Sequence, residues 1–294
     1  MLCLILQKVI ISKDNKKLYS FLAADYAWLK NRRVLMSVLK LWSWNVNGLR
    51  ATLKKGFLEA IEQEKPDIIG IQETKLQEGQ IPIEIAEHKE YCAYWSHAER
   101  KGYSGTLLLT KVEPKEVWQT MGIPELDSEG RIVAADYGSF LLYNVYFPNG
   151  QMNDDRLQYK LRFYDAFWEH LKSLKSQGRN VIICGDYNTA HHPIDLANPK
   201  QNENYSGFLP IERERLDTLE SLGFVDTFRQ FDQSPNQYSW WTWRVNARER
   251  NIGWRIDYFF VNKEFMPNVK NAYIRQDIMG SDHCPVVLEI EIKK

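Results

Sequence analysis

Cysteine is scarce in this chain. Its four copies, Cys3, Cys92, Cys184 and Cys284, are far apart with no CxxC pair, which excludes a cysteine-based zinc site and a disulfide framework and reads as free thiols in a reducing compartment. Net charge is missing as well. Because 38 basic side chains balance 38 acidic ones, no global field announces a polyanion partner, and any nucleic-acid surface must arise from local segregation of charge. Long apolar runs are also absent. The opening MLCLILQKVII is broken by Gln7 and Lys8, runs into SKDNKK and lacks a small-residue cleavage site, so it reads as neither signal peptide nor membrane span. No later stretch approaches the roughly 18–20 apolar residues that a bilayer span needs. An intracellular protein is expected, cytoplasmic if bacterial, neither secreted nor membrane-bound.

What is present is enough apolar material, 44% hydrophobic and 13% aromatic, to bury a large core. Met36 lies just before an alternating strand pattern, so residues 1–35 read as an N-terminal extension of unknown role or a misassigned start, and residues 36–294 as a single domain. Short apolar runs then alternate with helical patterns. Residues 39–46, 67–72, 105–110, 132–137 and 140–147 read as strands, the last two joined like a hairpin at Gly138-Ser139. Leu157, Leu161, Tyr164, Trp168 and Leu171 recur at helical spacing and stop before Gly178. Residues 181–184 read as a buried strand, and Pro210 opens a second helix that closes at Gly223. Further strands fall near residues 238–243, 255–261 and 285–292. The expected fold is α+β, with two packed mixed sheets and helices outside them.

The chemistry sits at strand ends. SWNVNG places Asn45 and Asn47 where one strand runs out, GIQETK does the same for Glu73, and ICGDYN for Asp186 and Asn188. WRIDY sets Asp257 among apolar neighbours, and GSDHCP puts Asp282 and His283 in the turn before the last strand. A carboxylate in such company is costly unless paired or metal-bound. Each motif has a bland reading as a turn, cap or solvated charge, yet five such coincidences at five strand ends would have to be unrelated. Carboxylate and amide oxygens favour a hard cation, Mg²⁺ with Mn²⁺ as substitute, over zinc. An aspartate beside a histidine orients it and favours its charged form, while another carboxylate takes a proton from water. That set suits phosphate-ester hydrolysis.

SWNVNGLRA, IIGIQETK, YNVYFPNG, ICGDYNTAH, DLANPK, NARERNIGWRIDYFFV and GSDHCPV, in this order across residues 38–292, resemble the successive signature blocks of the exonuclease III / AP endonuclease family. The resemblance implies a four-layer sandwich of two sheets flanked by helices. It implies Glu73 as principal metal ligand, helped by Asn47 and Asp282, with Asp186 and Asn188 also in the ligand set. Asp186 matches the residue that activates or positions the attacking water, Asn188 a phosphate-binding neighbour, His283 the phosphate-contacting histidine and Asp257 the carboxylate that pairs with it. Tyr146, Asn149 and Asn45 match polar residues around the scissile phosphate, and Arg156 joins the substrate-binding set. Two positions depart from the pattern. Asn47 stands where many relatives carry aspartate, which weakens its ligand role, and Tyr187 fills a position usual for Leu or Phe.

The resemblance further implies a DNA phosphodiesterase of base excision repair, cutting 5′ to abasic sites in double-stranded DNA with 3′ exonuclease and 3′-repair activity, and a monomer. Trp240, Trp241, Trp243 and Trp254 crowd a stretch with Arg244, Arg248, Arg250 and Arg255, a mixture suited to sugar, base and phosphate. Trp254, with apolar Ile256, resembles the wall of a pocket for a flipped, base-free sugar. The alternatives are a nonspecific deoxyribonuclease, a phosphoinositide- or sphingomyelin-type phosphodiesterase sharing Glu73, Asp186, Asp257 and His283, and a catalytically dead DNA-binding module.

Overall fold

A computed structural model describes residues 36–293, and the N-terminal extension lies outside the described residues. Alternation with period two organises the first strand, β1 (Met36–Asn45). Leu39 and Leu41 join the core between two sheets, while Trp42 and Trp44 pack on the opposite face with Phe57 and Ile61 of helix α1 (Phe57–Glu64).

One sheet has the order β11-β12-β1-β2-β4-β3, with β2 (Ile68–Gln72), β3 (Cys92–Ser96), β4 (Thr106–Thr110), β11 (Val269–Ile274) and β12 (Val286–Lys293). The other runs β5-β6-β7-β8-β10-β9, with β5 (Glu116–Trp118), β6 (Ile132–Asp136), β7 (Leu141–Tyr146), β8 (Val181–Asp186), β9 (Phe224–Asp226) and β10 (Asp257–Asn262). Both sheets are mixed, since β1–β2 and β7–β8 are parallel pairs among antiparallel ones. On the outer face of the second sheet, helix α2 (Asp154–Ser176) buries Phe163, Tyr164, Phe167, Trp168 and Leu171, and helix α3 (Pro210–Ser221) buries Leu216 and Leu219. Helix, sheet, sheet, helix is the four-layer sandwich expected.

The sheets meet closely where polar groups cross between them. Gln72 Nε2 donates to Ser43 Oγ at 3.0 Å and to Asn144 Oδ1 at 2.6 Å, while Asn144 Nδ2 donates to the Ile71 and Leu107 carbonyls at 3.1 and 3.0 Å. Gly70 makes room for this: a Cβ there would sit 2.8 Å from Cys184 Sγ and 2.9 Å from Asn144 Oδ1. Residues 38–292 form one compact unit, and among the described residues no helix is long and apolar enough to cross a membrane. Cys92, Cys184 and Cys284 are free thiols.

One strand expected from the sequence is absent. Residues 238–243 form only isolated bridges, Trp240 with Trp254 and Trp240 with His283. The aromatic density there reflects side-chain packing between loops, which strand propensity does not distinguish from a ladder.

Candidate active site

The register of three neighbouring strands assembles the site. Asp186 stands opposite Tyr146 across β7–β8 and opposite Asp257 across β8–β10. Period two puts all three on the face that carries Leu142, Ile182 and Phe259 into the core between the sheets. Gly185 permits this end of the pair, because its φ is +147° and a Cβ would run into the Val145 carbonyl. From the other sheet, Asn45 at the end of β1 donates Nδ2 to Asp186 Oδ2 at 2.8 Å.

His283 Nδ1 lies 2.9 Å from Asp257 Oδ2, which leaves Nε2 facing Asp186 Oδ2 at 3.9 Å. All three side chains are buried. Burial works against a charged imidazole, but the charge and hydrogen bond of Asp257, then Asp186 and Asp282, outweigh it and lift His283 to about 10. Burial first, and then the Asp257 charge, push Asp186 up to about 7. Burial likewise drives the Tyr146 phenol well above its ordinary value, helped by the Glu73 charge. A carboxylate near neutrality and an imidazole held cationic stand side by side, an arrangement of groups with opposed tasks.

Asp186 is fixed by its neighbours. Asn188 donates its backbone N–H to Oδ1 at 2.7 Å and its Nδ2 to Oδ2 at 3.2 Å, while Asn149 Nδ2 donates to Asn188 Oδ1 at 3.0 Å. Behind them Lys160 donates to the Asn188 carbonyl at 2.7 Å and pairs with Glu212, both side chains fully buried. Tyr146 is braced by Arg131, whose guanidinium lies 4.7 Å from its ring and donates to its carbonyl at 2.8 Å.

A second group of oxygens faces the first. Asn47 Nδ2 donates to both Asp282 oxygens at 3.1 and 3.2 Å, Trp240 Nε1 donates to Asp282 Oδ2 at 3.2 Å, and Asn47 Oδ1 accepts from Lys75. The Lys75 ammonium also lies 3.1 Å from Glu73 Oε1. Asn47, Glu73, Lys75 and Asn188 all have φ between +45° and +59°, left-handed backbone that costs energy in residues other than glycine and concentrates at functional sites.

This second group fits a hard divalent cation. Its donors are carboxylate and amide oxygens, and the lysine ammonium resting on Glu73 and Asn47 marks the spot as one that attracts positive charge. Ligand atoms of Asp186, Asp257 and His283 also lie within 4.8 Å of one another. There His283 and Asp257 already satisfy each other, although Asp257 Oδ1 is buried without a partner.

Both groups open into a cavity of about 600 Å³, walled on one side by Trp240, Trp254 and Ile256. Trp254 stands edge-on to Trp240 and to Phe208, with centroids 6.3 and 6.5 Å away. Asn45, Asn47, Glu73, Tyr146, Asn149, Asp186, Asn188, Asp282 and His283 line the same cavity, and Asp257 sits behind His283. Arg156 is the exception. Its guanidinium is taken by Glu129 at 2.8 and 3.1 Å and by the Tyr103 hydroxyl at 3.0 Å, so it is not brought to the cavity.

The tryptophan and arginine stretch divides. Trp241 is core, Arg255 is buried against Asp195 and Asp226, and Arg248 stacks on Trp241 while donating to the Ser281, Gln276 and Ile278 carbonyls. None of these three lines the cavity, whose aromatic wall is Trp240 and Trp254. Trp243, Arg244 and Arg250 remain exposed. Sequence reasoning missed Lys75, Arg131, Lys160, Gln151, Asn198, Gln201, Asn202 and Thr242; of these Lys75 and Asn198 stood inside quoted motifs.

Two sheets that end together in carboxylates, amides and a carboxylate-held imidazole define a phosphoester hydrolase. The chain belongs to the Endonuclease/Exonuclease/phosphatase family, whose model matches residues 42–283. It is 44% identical to an exodeoxyribonuclease of Bacillus subtilis, over 86% of this chain and 100% of that protein. It is 41% identical to the DNA repair nuclease APEX1 of Danio rerio, over 86% of this chain and 83% of that protein. Among solved structures, an AP endonuclease from Archaeoglobus fulgidus superposes with a TM-score of 0.78 at 27% identity, covering 85% of this chain and 98% of that one.

Proposed function

We propose that the chain is a divalent-metal-dependent DNA phosphodiesterase of base excision repair. It cuts the backbone 5′ to abasic sites in double-stranded DNA and processes 3′ ends, working inside the cell as a monomer. The carrying observation is the Asp257–His283 pair aimed at Asp186 beside an aromatic-walled cavity. The named relatives, an exodeoxyribonuclease and a DNA repair nuclease, support the same reading.

In this reading Asp186, raised to about 7, takes a proton from the attacking water as its oxygen bonds to phosphorus and the bond to the 3′ oxygen breaks. Protonated His283, held by Asp257, stabilises charge on the phosphoryl oxygens. Asn45, Asn149, Asn188 and Tyr146 orient the phosphate. Glu73, Asn47 and Asp282 would hold Mg²⁺ or Mn²⁺, which when bound supplies charge neutralisation at the phosphate and the leaving oxygen.

Incision of a duplex with one abasic site, with and without EDTA, tests the proposal. Cleavage of phosphoinositides or sphingomyelin in place of the abasic duplex would favour the phosphatase-type alternative, and absence of all cleavage a binding module. Glu73→Ala should raise the Mg²⁺ concentration for half-maximal rate by at least roughly tenfold, more than it weakens DNA binding. Near-normal incision by that variant at low Mg²⁺ would remove Glu73 from the ligand set.

Trp254→Ala should narrow the preference for abasic over intact duplex by slowing abasic incision, because the ring closes around a sugar that has no base and flips cheaply. The salt dependence should stay unchanged, with a log-log slope of about −4.5 if roughly five phosphates are contacted. An unaltered preference would make Trp254 merely a packing residue. A chain beginning at Met36 should fold and cut normally, since residues 38–292 form one unit. Loss of its melting transition would place the extension in the core.

A further inference from the structure

The loop that leaves β8 carries a second constellation, outside the cavity. His191 and His192 stack with ring centroids 3.7 Å apart, and α3 presents Asp217 and Glu220 to them, one turn apart on the same helix face. Asp217 Oδ1 lies 2.8 Å from His191 Nε2. An ionised carboxylate can only accept, so Nε2 carries the proton and Nδ1 presents a bare lone pair.

That lone pair is unused. His191 is 1% exposed and its Nδ1 is buried without a hydrogen-bond partner, the nearest carboxylate oxygen being Glu220 Oε1 at 3.8 Å, beyond hydrogen-bond range. Burial, and then the neighbouring His192, hold His191 below the ordinary imidazole range, which keeps Nδ1 unprotonated. One ligand atom from each of His191, His192 and Glu220 lies within 4.8 Å of the others.

We propose that His191 Nδ1, His192 and Glu220 form a site for a zinc-type transition-metal ion, with Asp217 orienting His191 from behind. Two imidazoles and one carboxylate suit Zn²⁺ and its Co²⁺ or Ni²⁺ analogues and disfavour Mg²⁺, so this site and the oxygen cluster in the cavity select different ions. A carboxylate that accepts from the far nitrogen of a ligating histidine is the usual means of fixing its tautomer and raising its basicity. Tetrahedral zinc would draw the ligand atoms to about 3.3 Å apart. His192 is half-buried and Glu220 exposed, so both have room to close, and water completes the fourth position.

The ion would tie the loop after Asn188 to α3. The same helix supplies Glu212, which holds the Lys160 that grips the Asn188 carbonyl, so the site braces one wall of the cavity from outside.

Zinc titration of the full chain by calorimetry, in millimolar Mg²⁺, tests the proposal, with visible absorption of the Co²⁺ form as a second readout. One Zn²⁺ per chain is expected. His192→Ala and Glu220→Gln should each weaken it by at least roughly tenfold and abolish the tetrahedral Co²⁺ band, while Glu73→Ala leaves both intact. Neither substituted position is fully buried, and an unchanged melting temperature in EDTA will show that the variants fold. Equal zinc binding by the wild type and both variants, loss of binding in Glu73→Ala, or no zinc bound at all would each overturn the site.

Discussion

Replacing His283 with alanine should lower turnover on an abasic duplex by roughly 10²–10⁴-fold, the size of one positioned acid-base group. Asp257→Ala should cost nearly as much, although Asp257 does not line the cavity. Its carboxylate holds Nδ1 at 2.9 Å and supplies the main charge that keeps the imidazole protonated against burial. Without it, a neutral ring would face the phosphate. Two residues acting as one unit give strongly non-additive losses, so the double variant should be little slower than the worse single one. Additive losses in kcat/KM would show that the two act separately.

The same pair sets a pH signature. His283 titrates at about 10 in the folded protein, above the about 6.5 of an unperturbed imidazole, so it stabilises the fold. That contribution is fully present below about pH 6.5 and is lost as pH rises through about 10. Asp257→Asn removes the principal raising influence, so the alkaline limb of kcat/KM should move toward neutrality and the melting temperature should change less between pH 7 and 10. An alkaline limb that stays in place would assign it to a group other than His283.

The site was legible wherever a polar side chain interrupted an apolar run at a strand end, as at Asp186 after VIIC and Asp257 before YFFV. Burial of such a group requires partners, and these are Asn45 and Asn188 for Asp186 and His283 for Asp257. The layers followed from period-two strands against the α2 periodicity. Illegible elements were those with weak local signal: β9 is three residues long, and half-exposed β3 and bulged β11 alternate poorly. Arg156 lies outside the cavity, held by Glu129, a pairing that nothing near it in sequence announces. The aromatic stretch misled for a similar reason. Core, wall and surface tryptophans share one composition, and only the fold separates Trp241 from Trp254 and Trp243. The His191 and Glu220 pairing, carried by a loop and a helix distant in sequence, was equally invisible.

Asp186→Asn should be the most damaging isosteric change in the cavity, slowing incision by roughly 10²–10⁴-fold or more while DNA binding persists. Asp186 is where the strand register, the Asn45 bridge between the sheets and the Asn188 loop converge, and its carboxylate accepts three hydrogen bonds from those two asparagines. An amide cannot take a proton from water. Nor can it accept on both arms, so at least one of the three donors loses its acceptor and the Asn188 loop should loosen. The charge on Asp186 also helps to raise His283, after Asp257, so the alkaline limb should shift downward in this variant too, by less than in Asp257→Asn. The acid limb should vanish, because burial and Asp257 place Asp186 at about 7. Divalent cation beside the carboxylate should move the wild-type acid limb to lower pH, since opposite charge favours the ionised form. Rate profiles from pH 5 to 10 at several Mg²⁺ concentrations would read all three effects. A variant that keeps the wild-type acid limb would show that another group takes the proton and that Asp186 only positions the water.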